Sequence, residues 1–142
     1  MSNLQRFSDK VVIVTGSAQG IGRGVALQLA AEGAQLVLAD LSDYVQDVLT
    51  EVKALGADAI TVQADLESFA GAQNVVSRAI EQFGRVDVLI NNVGGAIWMK
   101  PFQEFSDQEI IKEVNRSLFP TLWCCRAVLP AMIQQQAGVI VN

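Results

Sequence analysis

The chain has 142 residues, 51% of them hydrophobic, and carries 10 Lys+Arg against 15 Asp+Glu for a formal net charge of −5, which is one domain's worth of apolar-rich material. The acidic balance repels a polyanion, so no nucleic acid is expected as a partner. With no basic apolar leader and no apolar run of about 18 residues, neither secretion nor membrane insertion is indicated, and a cytoplasmic setting is expected. The only cysteines are the adjacent Cys124 and Cys125, and there is no His, so a disulfide framework, a zinc cluster and His-based catalysis or metal binding within this chain are excluded.

Period and punctuation place the elements in chain order. A β-branched run from Val11 to Thr15 predicts a first strand. The segment Thr15-Gly16-Ser17-Ala18-Gln19-Gly20-Ile21-Gly22 turns it into a helix over about Gly20 to Glu32. A second strand, Gln35 to Ala39, leads to Asp40, followed by a helix over Asp43 to Leu55. Ala59 to Gln63 predicts a strand, Phe69 to Phe83 a helix, and Val86 to Asn91 a fourth strand. The aperiodic stretch Gly94 to Ser106 then leads into a long helix, Asp107 to Gln135, in which Pro120 lacks an N–H and should kink the helix or break its ladder. A fifth strand is expected at Val139 to Asn142.

Gly33, Gly56, Gly84 and Gly138 fall just past the four helix ends, where a left-handed residue is wanted. Continuous β-branched strands suit a parallel sheet covered on both faces. With right-handed crossovers this is a doubly wound α/β sheet of Rossmann type. The expected organisation is one nucleotide-binding domain over residues 1–142, incomplete at its C-terminus and truncated within the fifth strand. That strand would be an exposed apolar edge, and poor solubility is expected of the chain alone.

A strand that passes through closely spaced glycines into a helix makes an anion site, because the backbone approaches a pyrophosphate and the helix N-terminus presents free N–H groups. Gly16, Gln19, Gly20, Ile21 and Gly22 are therefore candidate cofactor-binding residues. Asp40 lies 24 positions after Gly16, at the end of the next strand, where a carboxylate accepts both ribose hydroxyls of an adenosine and repels a 2′-phosphate. No Arg or Lys occurs among Ser17, Ala18, Gln19, Leu41 and Ser42, so NAD is favoured over NADP. The plainer alternative makes Asp40 a turn former. For the Gly94–Ser106 stretch, Trp98 and Met99 either line a substrate pocket or cover the nicotinamide side of the core.

Taken with Ala64-Asp65-Leu66 after the third strand and Asn91-Asn92-Val93-Gly94 after the fourth, the glycine loop resembles the N-terminal part of the short-chain dehydrogenase/reductase family. Val93 stands where the family's Asn-Asn-Ala-Gly signature has Ala, and the resemblance covers essentially the whole chain. It implies that Asp65 and Leu66 contact the cofactor, with Asp65 near the adenine ring. It also implies that Asn91 ties the fourth strand to its neighbours and that Gly94 lets the backbone pass close to the cofactor. As bare residues, Asn91 and Asn92 are equally a polar strand end.

The family's chemistry uses a Ser, a Tyr and a Lys four residues after the Tyr, all beyond the fifth strand. None is found here: the single tyrosine, Tyr44, has Val48 where the Lys would fall. No catalytic residue is expected in this chain. A further catalytic Asn found in many members aligns with Ser117, and Asn115 lies two positions away, about 200° round a helix.

The wording of residues 91–102 and 116–127 is most similar to bacterial members that oxidise the cis-dihydrodiol carboxylate made from benzoate. This implies a small-molecule substrate whose secondary carbinol is oxidised with NAD to a β-keto acid, which loses carbon dioxide and aromatises to a catechol. It also implies a homo-oligomer at full length. Lys100 either attracts the substrate carboxylate at the pocket mouth or is a solvated surface lysine. Two other readings compete. An NADPH-dependent 3-oxoacyl-type ketoreductase is opposed by Asp40, and a non-catalytic nucleotide-binding module is opposed by the unprotected apolar ending Val139-Ile140-Val141.

Overall fold

The computed structural model describes residues 5–142. Strands form at Val11–Thr15 (β1), Gln35–Asp40 (β2), Ala59–Gln63 (β3), Val88–Ile90 (β4) and Val139–Val141 (β5). They pair in the order β3-β2-β1-β4-β5, every neighbouring pair parallel, with Ile13 opposite Val37 on one side and Leu89 on the other. Helices lie at Gly20–Ala31 (α1), Val45–Ala54 (α2), Phe69–Phe83 (α3), Asp107–Ser117 (α4) and Phe119–Gln135 (α5), with a short 3-10 turn at Phe102–Glu104. This is the expected Rossmann-type α/β sheet.

The β-branched run of β1 follows from its place at the centre of the sheet, where both faces are covered and Val11 to Val14 are fully buried. Period two divides them: Val12 and Val14 pack with Leu36, Leu38, Ala26 and Val48 on the α1–α2 side, and Ile13 packs with Val37, Leu89, Val75 and Val128 on the α3–α5 side. Each such side chain contributes about 1.5–3 kcal/mol by leaving water.

Three expectations need correction. The long helix is two helices, α4 and α5, broken at Leu118 (φ −98°, ψ −48°), and Pro120 sits in the first turn of α5, where its missing N–H has no helical partner to lose. Gly33, Gly56 and Gly84 have positive φ as expected, but Gly138 does not; Gln136 takes the left-handed position instead, at φ 53°. The reason is Gln135, whose side chain accepts from the Val86 amide at 3.1 Å and donates to the Val86 carbonyl at 2.9 Å, pinning the end of α5 to the chain entering β4. Those same bonds shorten β4 at its start. Gly138 is small for another reason: a Cβ there would collide with the Met132 side chain.

Asp87, just before β4, is with Glu32 one of two buried carboxylates among the described residues. Its carboxylate accepts from the Val11 amide at 2.9 Å and from Arg85 Nε at 2.9 Å and Nη2 at 2.7 Å. Burial pushes its pKa up, but the Arg85 guanidinium, the Val11 amide and Lys10 outweigh this and hold it below the usual value. A depressed folded pKa means that the stabilisation is present above the ordinary carboxylate range and is lost as pH falls through the folded value. Asp87→Ala is expected to cost about 2 kcal/mol at pH 7, because the Val11 amide loses its acceptor. Urea melts should show the gap to wild type narrowing at pH 3, and a pH-independent gap would contradict this account.

Candidate nucleotide-binding site

β1 carries Thr15 to the carboxyl edge of the sheet, where its buried hydroxyl joins two strands. Thr15 Oγ1 donates to the Ile90 carbonyl at 3.2 Å and accepts from the amides of Asn92 at 2.9 Å and Val93 at 3.3 Å. Asn92 returns the link by donating from Nδ2 to the Gly16 carbonyl at 3.0 Å. Gly16 turns the chain at φ +63°, and a Cβ on it would press on Asn92 Nδ2 at 2.9 Å. Gly22 is buried one helical turn on, and a Cβ there would run into the Gly16 carbonyl. The glycine loop is thus folded tightly onto the start of α1.

The head of α1 is left open. Gln19, at the N-cap, makes no side-chain capping bond, and no carboxylate lies in the first turn, so the early amides remain free for an anion. Ser17 Oγ donates to the Ala39 carbonyl at 3.3 Å, and Asp40 accepts from the Ala18 amide at 2.9 Å and the Ser42 amide at 2.9 Å. Asp40 therefore forms the turn after β2 and fixes the glycine loop as well. Each of its oxygens keeps a lone pair for a further donor.

These groups surround a cleft of about 380 Å³, within the range of roughly 300–1,000 Å³ usual for small-molecule sites. Of the residues expected from sequence, Gly16, Gln19, Ile21, Asp40, Asp65, Leu66 and Gly94 line it. Gly20 heads α1 at φ +56° and Gly22 lies beneath the loop, so both shape the site without lining the cleft. Asn91 faces away: its Nδ2 donates to Asn142 Oδ1 at 2.8 Å and to Cys125 Sγ at 3.4 Å, linking the end of β4 to the residue after β5 and to α5. Asp65 Oδ1 accepts from the Glu67 amide at 2.9 Å, shaping the turn into α3, which Ser68 caps.

Beyond β4, Ser117 rather than Asn115 meets the Gly94–Gly95 segment. Its hydroxyl accepts from the Gly95 amide at 3.4 Å and donates to the Gly95 carbonyl at 3.3 Å. Lys100 is half-buried and ion-paired rather than a solvated surface lysine. It bonds both Glu109 oxygens, at 2.8 and 2.9 Å, and lies 5.1 Å from the centre of the Phe105 ring. The Lys100 ammonium, helped by the Ser106 amide, lowers the Glu109 carboxyl to about 2. Trp98 packs edge-on against Phe105, Met99 is 98% exposed, and neither reaches the cleft. Tyr44 is exposed at the head of α2.

Three contributors escaped the sequence reading: Thr15 and Asn92, which weld the cleft floor, and Arg116, which lines it. Arg116 is the one cation among the lining residues, against Asp40, Asp65 and Glu67.

Comparison with known proteins agrees with this geometry. The short chain dehydrogenase family profile matches residues 10–142. The chain is 70% identical over its full length to the 1,6-dihydroxycyclohexa-2,4-diene-1-carboxylate dehydrogenase of Acinetobacter baylyi, covering 54% of that protein. It is 54% identical over 97% of its length to the enzyme of the same name from Pseudomonas putida, covering 51% of it. The chain thus spans about half the length of the curated relatives it matches. Among solved structures, NAD+-bound xylitol dehydrogenase superposes with a TM-score of 0.92 at 29% identity, over 96% of this chain and 53% of that one.

Proposed function

The chain belongs to the short chain dehydrogenase family, and from that premise we propose that it forms the NAD-binding part of an oxidoreductase acting on a cis-dihydrodiol carboxylate, giving a catechol with loss of carbon dioxide. The observation that carries the cofactor half of this reading is the single cleft that gathers Gly16, Gln19, Asp40, Asp65 and Gly94. The substrate half rests on the 70% and 54% identity to proteins named for such a substrate.

The residues present fit the cofactor. Uncapped amides at the head of α1 suit a pyrophosphate, Asp40 suits the ribose hydroxyls, and Leu41, Leu66 and Val93 offer apolar surface to a base. NAD, when bound, supplies the hydride acceptor. The groups of this chain bind and orient it: Asp40 selects an unphosphorylated ribose, and Thr15 and Asn92 hold the cleft floor. Proton transfer is assigned to no residue of this chain, the Ser, Tyr and Lys of the family being proposed to lie outside it. A cytoplasmic homo-oligomer is proposed for the complete enzyme, consistent with the exposed Ile111, Leu118, Leu122 and Ile133 on α4 and α5.

The test is cofactor preference. Asp40→Ala should weaken NAD binding by roughly tenfold, the worth of hydrogen bonds to a charged group, and should tighten NADP relative to NAD by removing the carboxylate that repels a 2′-phosphate. Because the substitution also loosens the glycine loop, the ratio of the two dissociation constants is the informative quantity. An unchanged ratio would sink the NAD assignment.

A further inference from the structure

Arg116 is the last residue but one of α4, and its exposed side chain lines the nucleotide cleft. Among the described residues it makes no ion pair, although three carboxylates line the same cleft. Those carboxylates are partly occupied: Asp40 by the Ala18 and Ser42 amides, and Asp65 by the Glu67 amide. The guanidinium is left free to meet a ligand.

Packing tells which end of the cleft it serves. Phe119, three residues after Arg116, stacks on Trp123 at 5.3 Å, and Trp123 packs on Phe69 at 5.9 Å. Phe69 opens α3, directly after the Asp65-Leu66-Glu67 turn that lines the cleft. The α4–α5 junction therefore bridges the segment after β4, through Ser117 and Gly95, and the turn after β3, through Trp123 and Phe69, on the side of the cleft away from the α1 amides. In the NAD reading, which this inference presupposes, that side takes the adenine, between Leu41 after β2, Leu66 after β3 and Val93 after β4, whose side chains suit a flat apolar base.

We propose that Arg116 is an adenine-binding residue, its guanidinium plane lying on the ring of the bound nucleotide. A planar, weakly hydrated cation is suited to stack on an aromatic face.

The test is calorimetric titration of adenosine, ADP and NAD into the purified protein, its Arg116→Leu variant and its Arg116→Gln variant. Both substitutions should raise the dissociation constants of all three ligands by a similar factor, about five- to tenfold, with the salt dependence of NAD binding unchanged. Arg116 is exposed, so the thermal midpoint should hold. If adenosine binding is unaffected while ADP and NAD weaken and lose salt dependence, Arg116 contacts phosphate and the proposal is wrong. It is equally wrong if wild type binds NAD and neither variant differs from it. A wild-type protein that binds neither adenosine nor NAD overturns the underlying cofactor reading along with it.

Discussion

Thr15→Val is expected to cost about 3 kcal/mol of stability and to weaken NAD binding at least tenfold, although the side chain keeps its shape. The Thr15 hydroxyl is the shared partner of three backbone groups, the Ile90 carbonyl and the Asn92 and Val93 amides, and Thr15 is only 1% exposed. Removing the oxygen orphans two donors and one acceptor, each worth about 1–3 kcal/mol when left unpaired in a buried setting. Part of that is recovered because Asn92 is half-buried and reaches water. The loss should appear in urea melts, with Thr15→Ser returning most of it. A valine variant within 0.5 kcal/mol of wild type, a window set by the roughly ±0.5 scatter of neutral surface changes, would show that this hydroxyl is dispensable.

The second large effect is expected at Gly22. A methyl group there would occupy the position of the Gly16 carbonyl and crowd Asn92 Nδ2, so Gly22→Ala must push α1 away from the glycine loop. Overpacking of this kind costs about 1–3 kcal/mol, and the displaced helix start should lose most of its affinity for NAD. Gly24, two residues along the same helix, supplies the control. A Cβ at Gly24 meets nothing within 4 Å, so Gly24→Ala should stabilise the protein by about 0.5–1 kcal/mol through helix propensity alone. If the two alanine variants behave alike, close packing of the loop is not what glycine provides at position 22.

How much of this was legible in the sequence depended on whether the cause was local. The sheet, the glycine loop and Asp40 were readable because strand period, turn chemistry and the spacing to the second strand all act within about thirty residues of chain. Thr15, Asn92 and Arg116 were not, since their roles arise only when β1, β4 and the α4–α5 junction are brought side by side. Gln136 shows the same limit at a helix end. Glycine at 138 was the natural left-handed residue, but Gln135 reaches across 49 positions to Val86 and anchors the helix end, so that Gln136 takes that position instead. The Lys100–Glu109 pair was not foreseen because Glu109 belongs to the capping box of a helix whose approach to the loop the sequence does not reveal.

The two apolar clusters on either side of the sheet share no residue, and that division governs how mutations combine. Leu38 and Leu89 are both almost fully buried, yet they belong to opposite layers and lie on strands separated by β1. Free-energy losses at such sites add to within about 0.3–0.5 kcal/mol, whereas neighbours within one layer couple. Leu38→Ala and Leu89→Ala should therefore be independent, and Leu36→Ala with Leu38→Ala should not. Damage accumulated on the α3–α5 side is in this way kept out of the layer that seats the glycine loop.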